Sequence, residues 1–199
     1  MVTVNSETEF LSEAVFEHFL SRNAGLPSWL VKQKEKSWVD YLALPAPSRS
    51  MESWRFANVK GLGVEGFRLA PTLEPSETHS LLEASKRIES NSGELVFGND
   101  DLIHEEALSA ELSEKGVIFE PLSRAFAKHS EILEEFFMEQ ESALGSEKFT
   151  ALHTALNRNG TLLFVPENVE IKLPFVSYHW AKGEESAVFP HTLVIAKDN

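Results

Sequence analysis

Asn159-Gly160-Thr161-Leu162-Leu163-Phe164-Val165-Pro166, followed by Val169-Glu170-Ile171-Lys172-Leu173-Pro174, decides how this chain is read. Val169, Ile171 and Leu173 alternate with Glu170 and Lys172, which is the period of two of a half-buried strand. Pro166, Asn168, Pro174 and Gly183 punctuate the pattern. From Gly160 onward the spacing predicts strands only, at Thr161–Val165, Val169–Leu173, Phe175–Trp180 and Val188–Ala196. Short strands at tight, even spacing imply a sandwich or a β-solenoid. The last strand runs almost to Asn199, so its sheet edge is expected to lack a neighbour, and the C-terminus reads as cut.

Upstream of this block the periodicity turns helical. Ser6 and Glu9 have capping-box spacing, and Phe10, Leu11, Ala14, Val15 and Phe19 form a stripe that Gly25 would end. A second helix is expected from Pro27-Ser28 to Leu42, stopped by Leu44-Pro45-Ala46-Pro47. A turn of helix follows near Glu52–Ala57, then a connecting stretch from Lys60 to Pro75. A third helix is expected over Ser76–Ser90. Leu95–Phe97 and Val117–Phe119 read as short strands. An acidic helix carries the stripe Leu122, Phe126, His129, Leu133 and Phe136, and another helix covers Ser146–Asn157. The class is α+β, with a mostly helical region over 1–91 and a strand-rich region with embedded helices over 92–199.

Composition narrows the function. The 199 residues carry 31 acidic against 18 basic side chains, a net charge of −13. That excess argues against a nucleic-acid partner, because phosphate backbones are held by clustered Lys and Arg. There is no cysteine. Thiolate zinc sites, a cysteine nucleophile and cysteine-held clusters therefore cannot form from this chain alone. Met1–Glu9 lacks the basic flank and apolar run of a signal peptide. No apolar run nears the roughly 20 residues of a membrane span. A cytoplasmic location is expected.

Candidate sites are few. His79, His104, His129 and His153 recur about every 25 residues, yet their flanks do not align and no HxH or HxxxH pair exists, so packed or surface histidines are expected. Glu131, Glu134, Glu135, Glu139 and Glu141 read as the solvated face of an amphipathic helix. Lys32, Lys34, Lys36, Arg49 and Arg55, in the company of Trp29, Trp38 and Trp54, read as a surface balancing local acids. Gly61-Leu62-Gly63 is too short for a phosphate loop, and no GxSxG elbow is present. The expectation is no catalytic, cofactor-binding or metal residue.

Several segments together resemble the SufB/SufD family of iron–sulfur cluster assembly proteins. Gly25-Leu26-Pro27-Ser28-Trp29-Leu30 is similar to the family's G-x-P-x-W-L. Leu44-Pro45-Ala46-Pro47 with Glu52-Ser53-Trp54-Arg55-Phe56 resembles the L-P-x-P…E-x-W-R-[FY] segment of its SufD branch. Gly116-Val117-Ile118-Phe119 with Leu122 and Ala125 resembles G-V-x-[FV]…L-x-x-A. Lys148-Phe149-Thr150-Ala151-Leu152, Gly160, Phe164-Val165-Pro166, Val169 and Leu173-Pro174 form the strongest block, and Thr192-Leu193-Val194-Ile195 resembles a family strand. His153 and His191 depart from the family's usual Asn and Arg. The resemblance implies a helical N-terminal region followed by the opening coils of a right-handed parallel β-helix. It implies a non-enzymatic role in a complex with a SufB-like scaffold and a SufC-like ATPase, through regions further along the family's chains. It implies no cofactor in this segment, the iron–sulfur cluster belonging to the assembled complex. Two other readings stand beside it. One is a β-helix polysaccharide lyase or hydrolase using Glu167, Glu170 and Lys172. The other is a free-standing adaptor pairing through an exposed sheet edge.

Overall fold

The computed structural model describes residues 11–23, 25–64, 66–86, 88, 90–140 and 146–198. Contacts group the chain into two compact units, 1–68 with 131–157 and 69–130 with 158–199. The grouping is discontinuous, whereas the sequence reading cut the chain once at residue 91.

The first unit is helical. Helix α1 spans Glu13–Arg22 and is capped by Ser12, whose hydroxyl accepts from the Val15 amide at 3.4 Å. The capping box expected at Ser6 and Glu9 lies outside the described residues. Gly25 sits at φ +103°, a conformation that glycine takes without strain. Helix α2 spans Ser28–Ala43 and stops before Pro45, as expected. Its buried face carries Leu30, Lys34, Trp38 and Tyr41, and the Trp38 ring stacks on Phe16 with centroids 4.8 Å apart. The turn expected near Glu52 is a 3-10 turn over Glu52–Trp54, and a second runs over Val59–Gly61.

In the second unit, β1 (Arg68–Leu69, at the boundary) precedes α3 (Pro75–Ser85), β2 (Gly93–Gly98), β3 (Asp101–Glu106), α4 (Ala110–Glu114) and β4 (Ile118–Pro121). Helices α5 (Leu122–Lys128), α6 (Ser130–Phe136) and α7 (Glu147–Leu156) follow. The chain closes with β5 (Gly160–Val165), β6 (Phe175–Trp180), β7 (Ser186–Ala187) and β8 (His191–Ala196). Helix α7 and most of α6 belong to the first unit.

The α+β class is borne out, with small open sheets. Beside a two-stranded β1–β7 pair stand two three-stranded sheets, ordered β3-β2-β6 and β4-β5-β8. In each, one neighbour is antiparallel and the other parallel: β2 with β3 and β6, β5 with β4 and β8. One core cluster of this unit is Leu95, Phe97 and Phe119, with Leu102, Leu108, Leu163 and Phe175 packed against it.

Four sequence expectations change. The single helix over Leu122–Phe136 is two helices, because His129 leaves the helical range at φ −126°, ψ 39° and caps α5. Val169–Leu173 half-buries Val169 and Ile171 but exposes Leu173 and joins neither sheet; Asn168 turns the chain at φ 60° and the proline brackets hold it as a loop. The strand expected over Val188–Ala196 begins only at His191, and α3 ends at Ser85 instead of Ser90. Strand β3 went unforeseen, because Asp101, Glu105 and Glu106 have low strand propensity. The hairpin turn makes it: Asn99 and Asp100 both take positive φ, 51° and 65°, the type I′ geometry that matches strand twist.

Candidate functional site

The densest chemistry of the first unit lies where α2 meets α7. Lys34 is 1% exposed, without a carboxylate among its contacts in the described residues. Its Nζ donates to the carbonyls of Thr154 at 3.1 Å and Ala155 at 3.5 Å, makes a close contact with the Asn157 carbonyl, and lies 5.4 Å from the Phe19 ring centre. These carbonyls belong to the last turn of α7, which has no helical donors left to satisfy it. Burial lowers the ammonium from its ordinary range to about 7. A helix C-terminus favours a cation by about 2 kcal/mol at most. Burying an ion without a counter-ion costs several kcal/mol, so burial wins.

Lys148, in the first turn of α7, does the reciprocal task. Its Nζ donates to the Tyr41 carbonyl at 2.5 Å and the Leu44 carbonyl at 2.7 Å, at the end of α2, and sits 4.3 Å from the Tyr41 ring centre. Each helix thus closes the other's C-terminus, an arrangement only an antiparallel pair permits. Of the basic neighbourhood read from the sequence, Lys36 behaves as a surface balance and pairs with Asp40 at 2.6 Å. Lys34 does not, and its place on the surface is corrected: it lies on the apolar stripe with Leu30, Trp38 and Tyr41. That i, i+4 spacing from Leu30 through Lys34 to Trp38 was the signal available in the sequence.

In the second unit, the hairpin tip is tied by side chains. Asn99 is buried, and its amide donates to the carbonyls of Pro71 at 2.9 Å and Lys182 at 3.0 Å while accepting from the Lys182 amide at 2.8 Å. Asp100 accepts from the Phe189 amide at 2.9 Å, yet burial raises its carboxyl above the ordinary range. Arg158 bonds the Asn99 carbonyl at 3.3 Å and pairs with Asp101.

The end strands β6 and β8 form the other notable feature. On the parallel ladder Leu95 faces Ser177 and Phe97 faces His179, so an apolar row on β2 becomes a polar one on β6. The His179 ring stacks on Phe97 at 4.7 Å and 7°. Ser177 Oγ lies 2.6 Å from Thr161 Oγ1 and 2.9 Å from His179 Nε2. Burial lowers both His179 and His191. Val194 on β8 is 57% exposed.

The histidines do not converge. Among the described residues no group of three or more His, Asp or Glu is placed to hold a metal. His79 and His104 share a cavity of about 590 Å³ with Glu83, Glu94 and Glu106, but His104 Nε2 stands 4.0 Å from Glu94 Oε1. His129 Nε2 lies 3.6 Å from Glu120 Oε1, a helix-capping position. His153 is on α7. Glu131, Glu134, Glu135 and Glu139 are exposed, as a solvated face should be, and Glu141 lies outside the described residues. Glu167, Glu170 and Lys172 are exposed on the 166–174 loop. What the arrangement does offer is interlocked helices and strands whose outer edges carry backbone donors and acceptors. No described helix is long and apolar enough to cross a membrane.

The family described as SufBD protein N-terminal region matches residues 18–175. The iron–sulfur cluster assembly protein SufD of Bacillus subtilis (strain 168) is 30% identical over 178 residues, covering 87% of this chain and 40% of that protein. An iron–sulfur cluster assembly SufBD family protein of Staphylococcus haemolyticus is 33% identical over 91 residues, 46% of this chain and 19% of that protein. One from Staphylococcus aureus (strain USA300) is 31% identical over 91 residues. The chain spans less than half the length of these relatives. A match running from α1 into the first residue of β6, joined to the identity with SufD over most of the chain, means that this chain belongs to the SufBD family, as a SufD-like N-terminal region.

Proposed function

We propose that this chain is the N-terminal region of a SufD-like component of an iron–sulfur cluster assembly complex, with a structural and protein-interaction role and no catalysis of its own. The observation that carries the reading is the 30% identity with the SufD of Bacillus subtilis across 87% of the chain. The cluster is cargo, and with no cysteine in its sequence this segment offers it no thiolate. The partners we assign are a SufB-like scaffold and a SufC-like ATPase in the cytoplasm, engaged through the portion of the relatives' length that this chain does not span.

The β-helix reading belongs to the same proposal. Its support is the order in which strands are laid down. The chain leaves β5, crosses to the other three-stranded sheet as β6, then returns as β8 parallel to β5. Thr161 faces Thr192, Leu162 faces Leu193 and Phe164 faces Ile195, the parallel register that stacking one coil on the previous one would need. Alternation between two sheets with parallel return is how a solenoid starts.

The test is co-purification of the full-length protein with a SufC-like ATPase and a SufB-like scaffold from the same organism. A stable complex containing all three is expected. Failure of both partners to co-purify, with the tagged protein folded, would sink the reading. Turnover of an acidic polysaccharide by the purified protein would replace it with the lyase alternative.

A further inference from the structure

We propose that the run of turns over residues 48–62 is a docking knob for an acid-rimmed apolar pocket on a protein partner, with Phe56 as its anchor and Arg55 as its leading cation. This rests on the reading of the chain as a component of an assembly complex, and it gives this segment a partner contact of its own.

Phe56 is 94% exposed, the most exposed large apolar side chain among the described residues; Val39 follows at 62%. A lone surface apolar residue needs no explanation. This one is held out by a hydrogen-bonded backbone. The Met51 amide donates to the Ser48 carbonyl and the Trp54 amide to Met51, both at 3.0 Å. The Ala57 amide donates to the Trp54 carbonyl and the Val59 amide to Ala57, both at 3.1 Å. The knob is thus shaped before a partner arrives, which lowers the ordering cost of binding. The Arg55 guanidinium lies 5.6 Å from the Phe56 ring centre, and Trp54 beside them is half-buried. Arginine and large aromatic rings are the side chains that most often anchor protein interfaces.

Charge selects the partner. Arg49, Arg55 and Lys60 stand against Glu52 over this stretch, a basic island in a chain of net charge −13. All three cations are exposed, and none has an ion pair among the described residues. Lys36, Lys86, Lys115 and Arg158, by contrast, each pair with a carboxylate. A partner with Asp or Glu around an apolar pocket completes both halves: its carboxylates take the guanidinia and its pocket takes the ring. A nucleic acid or an anionic bilayer extends beyond the island and is repelled by the acid excess of the rest of the chain. A second copy brings that same excess.

The experiment uses the full-length protein with the SufC-like ATPase and the SufB-like scaffold of the same organism. Phe56→p-benzoylphenylalanine, illuminated in the complex, should crosslink to an Asp- or Glu-flanked peptide of one partner. Phe56→Ala should weaken the complex about tenfold or more. Arg55→Glu should weaken it similarly and lower the salt sensitivity of the affinity. Val39→Ala, at an exposed apolar residue outside the knob, should do neither. A wild-type complex that forms and that neither variant weakens overturns the docking knob and leaves the assembly role standing. A crosslink confined to the protein's own chain or to a second copy, or no crosslink, overturns it too. So does binding to phosphatidylglycerol vesicles that Phe56→Ala abolishes. Wild-type protein that binds neither partner overturns both the knob and the assembly role.

Discussion

Gly160 shows how narrow the tolerance is at single positions. It opens β5 at φ +150°, and a Cβ placed there would lie 1.8 Å from the His191 carbonyl oxygen, inside the parallel ladder to β8. Backbone cannot yield as a side-chain tip can. Gly160→Ala should therefore destabilise the chain by about 3 kcal/mol or more. Urea denaturation checks this, and a loss under 1 kcal/mol would mean that β5 and β8 do not approach this closely. The Asn159-Gly160 break was legible as the point where strands begin. That Gly160 must be glycine was not, since the reason is an oxygen 31 residues away.

Among elements, the α2–α7 pair rests on two lysines with opposite environments. Lys148 is partly exposed and keeps water access, so its ammonium closes the end of α2 without a large burial cost. Hydrogen bonds from a charged group are worth about 1.5–3 kcal/mol each before competition with water. Lys148→Met, which keeps the apolar stem, should cost about 1–2 kcal/mol in thermal or chemical denaturation. A change below 0.5 kcal/mol would show that water already satisfies Tyr41 and Leu44. Both helices were readable from their stripes and stops, with ends within a residue or two. Their mutual capping was not, because Lys34 and the carbonyls it meets are about 120 positions apart. Strand β3 marks the opposite case. Its acidic residues argue against a strand, and the Asn99-Asp100 turn overrides them by delivering the chain antiparallel to β2.

For the molecule as a whole, the relevant quantity is its net charge of −13. A compact chain with that excess repels itself, and salt screens the repulsion with a Debye length of about 10 Å at 0.1 M. Raising sodium chloride from 20 mM to 500 mM should lift the melting temperature. The local pairs of Arg124 and Lys128 with Glu105 and Glu120 weaken under the same screening, but they are partly exposed and contribute little. A melting temperature that falls with salt would show that ion pairs outweigh net repulsion. The discontinuous first unit also joins residues 131–157 to residues 1–68 across the stretch between them, a long-range closure that slows folding.

By itself the sequence determined the local and the compositional. Periodicity located α1, α2, α7 and the strands β2, β4, β5 and β6, because helix and strand faces are properties of consecutive residues. Composition removed cysteine ligation, and the ordered motifs pointed to the family. Tertiary structure decided which segments pair. It made β3 a strand and left Val169–Leu173 a loop, since a strand exists only where a neighbour accepts its hydrogen bonds. It broke the helix at His129 and took Lys34 from an apparent surface into the core of the helix pair. Those outcomes depend on groups far apart in the chain, and no window of neighbouring residues contains both partners.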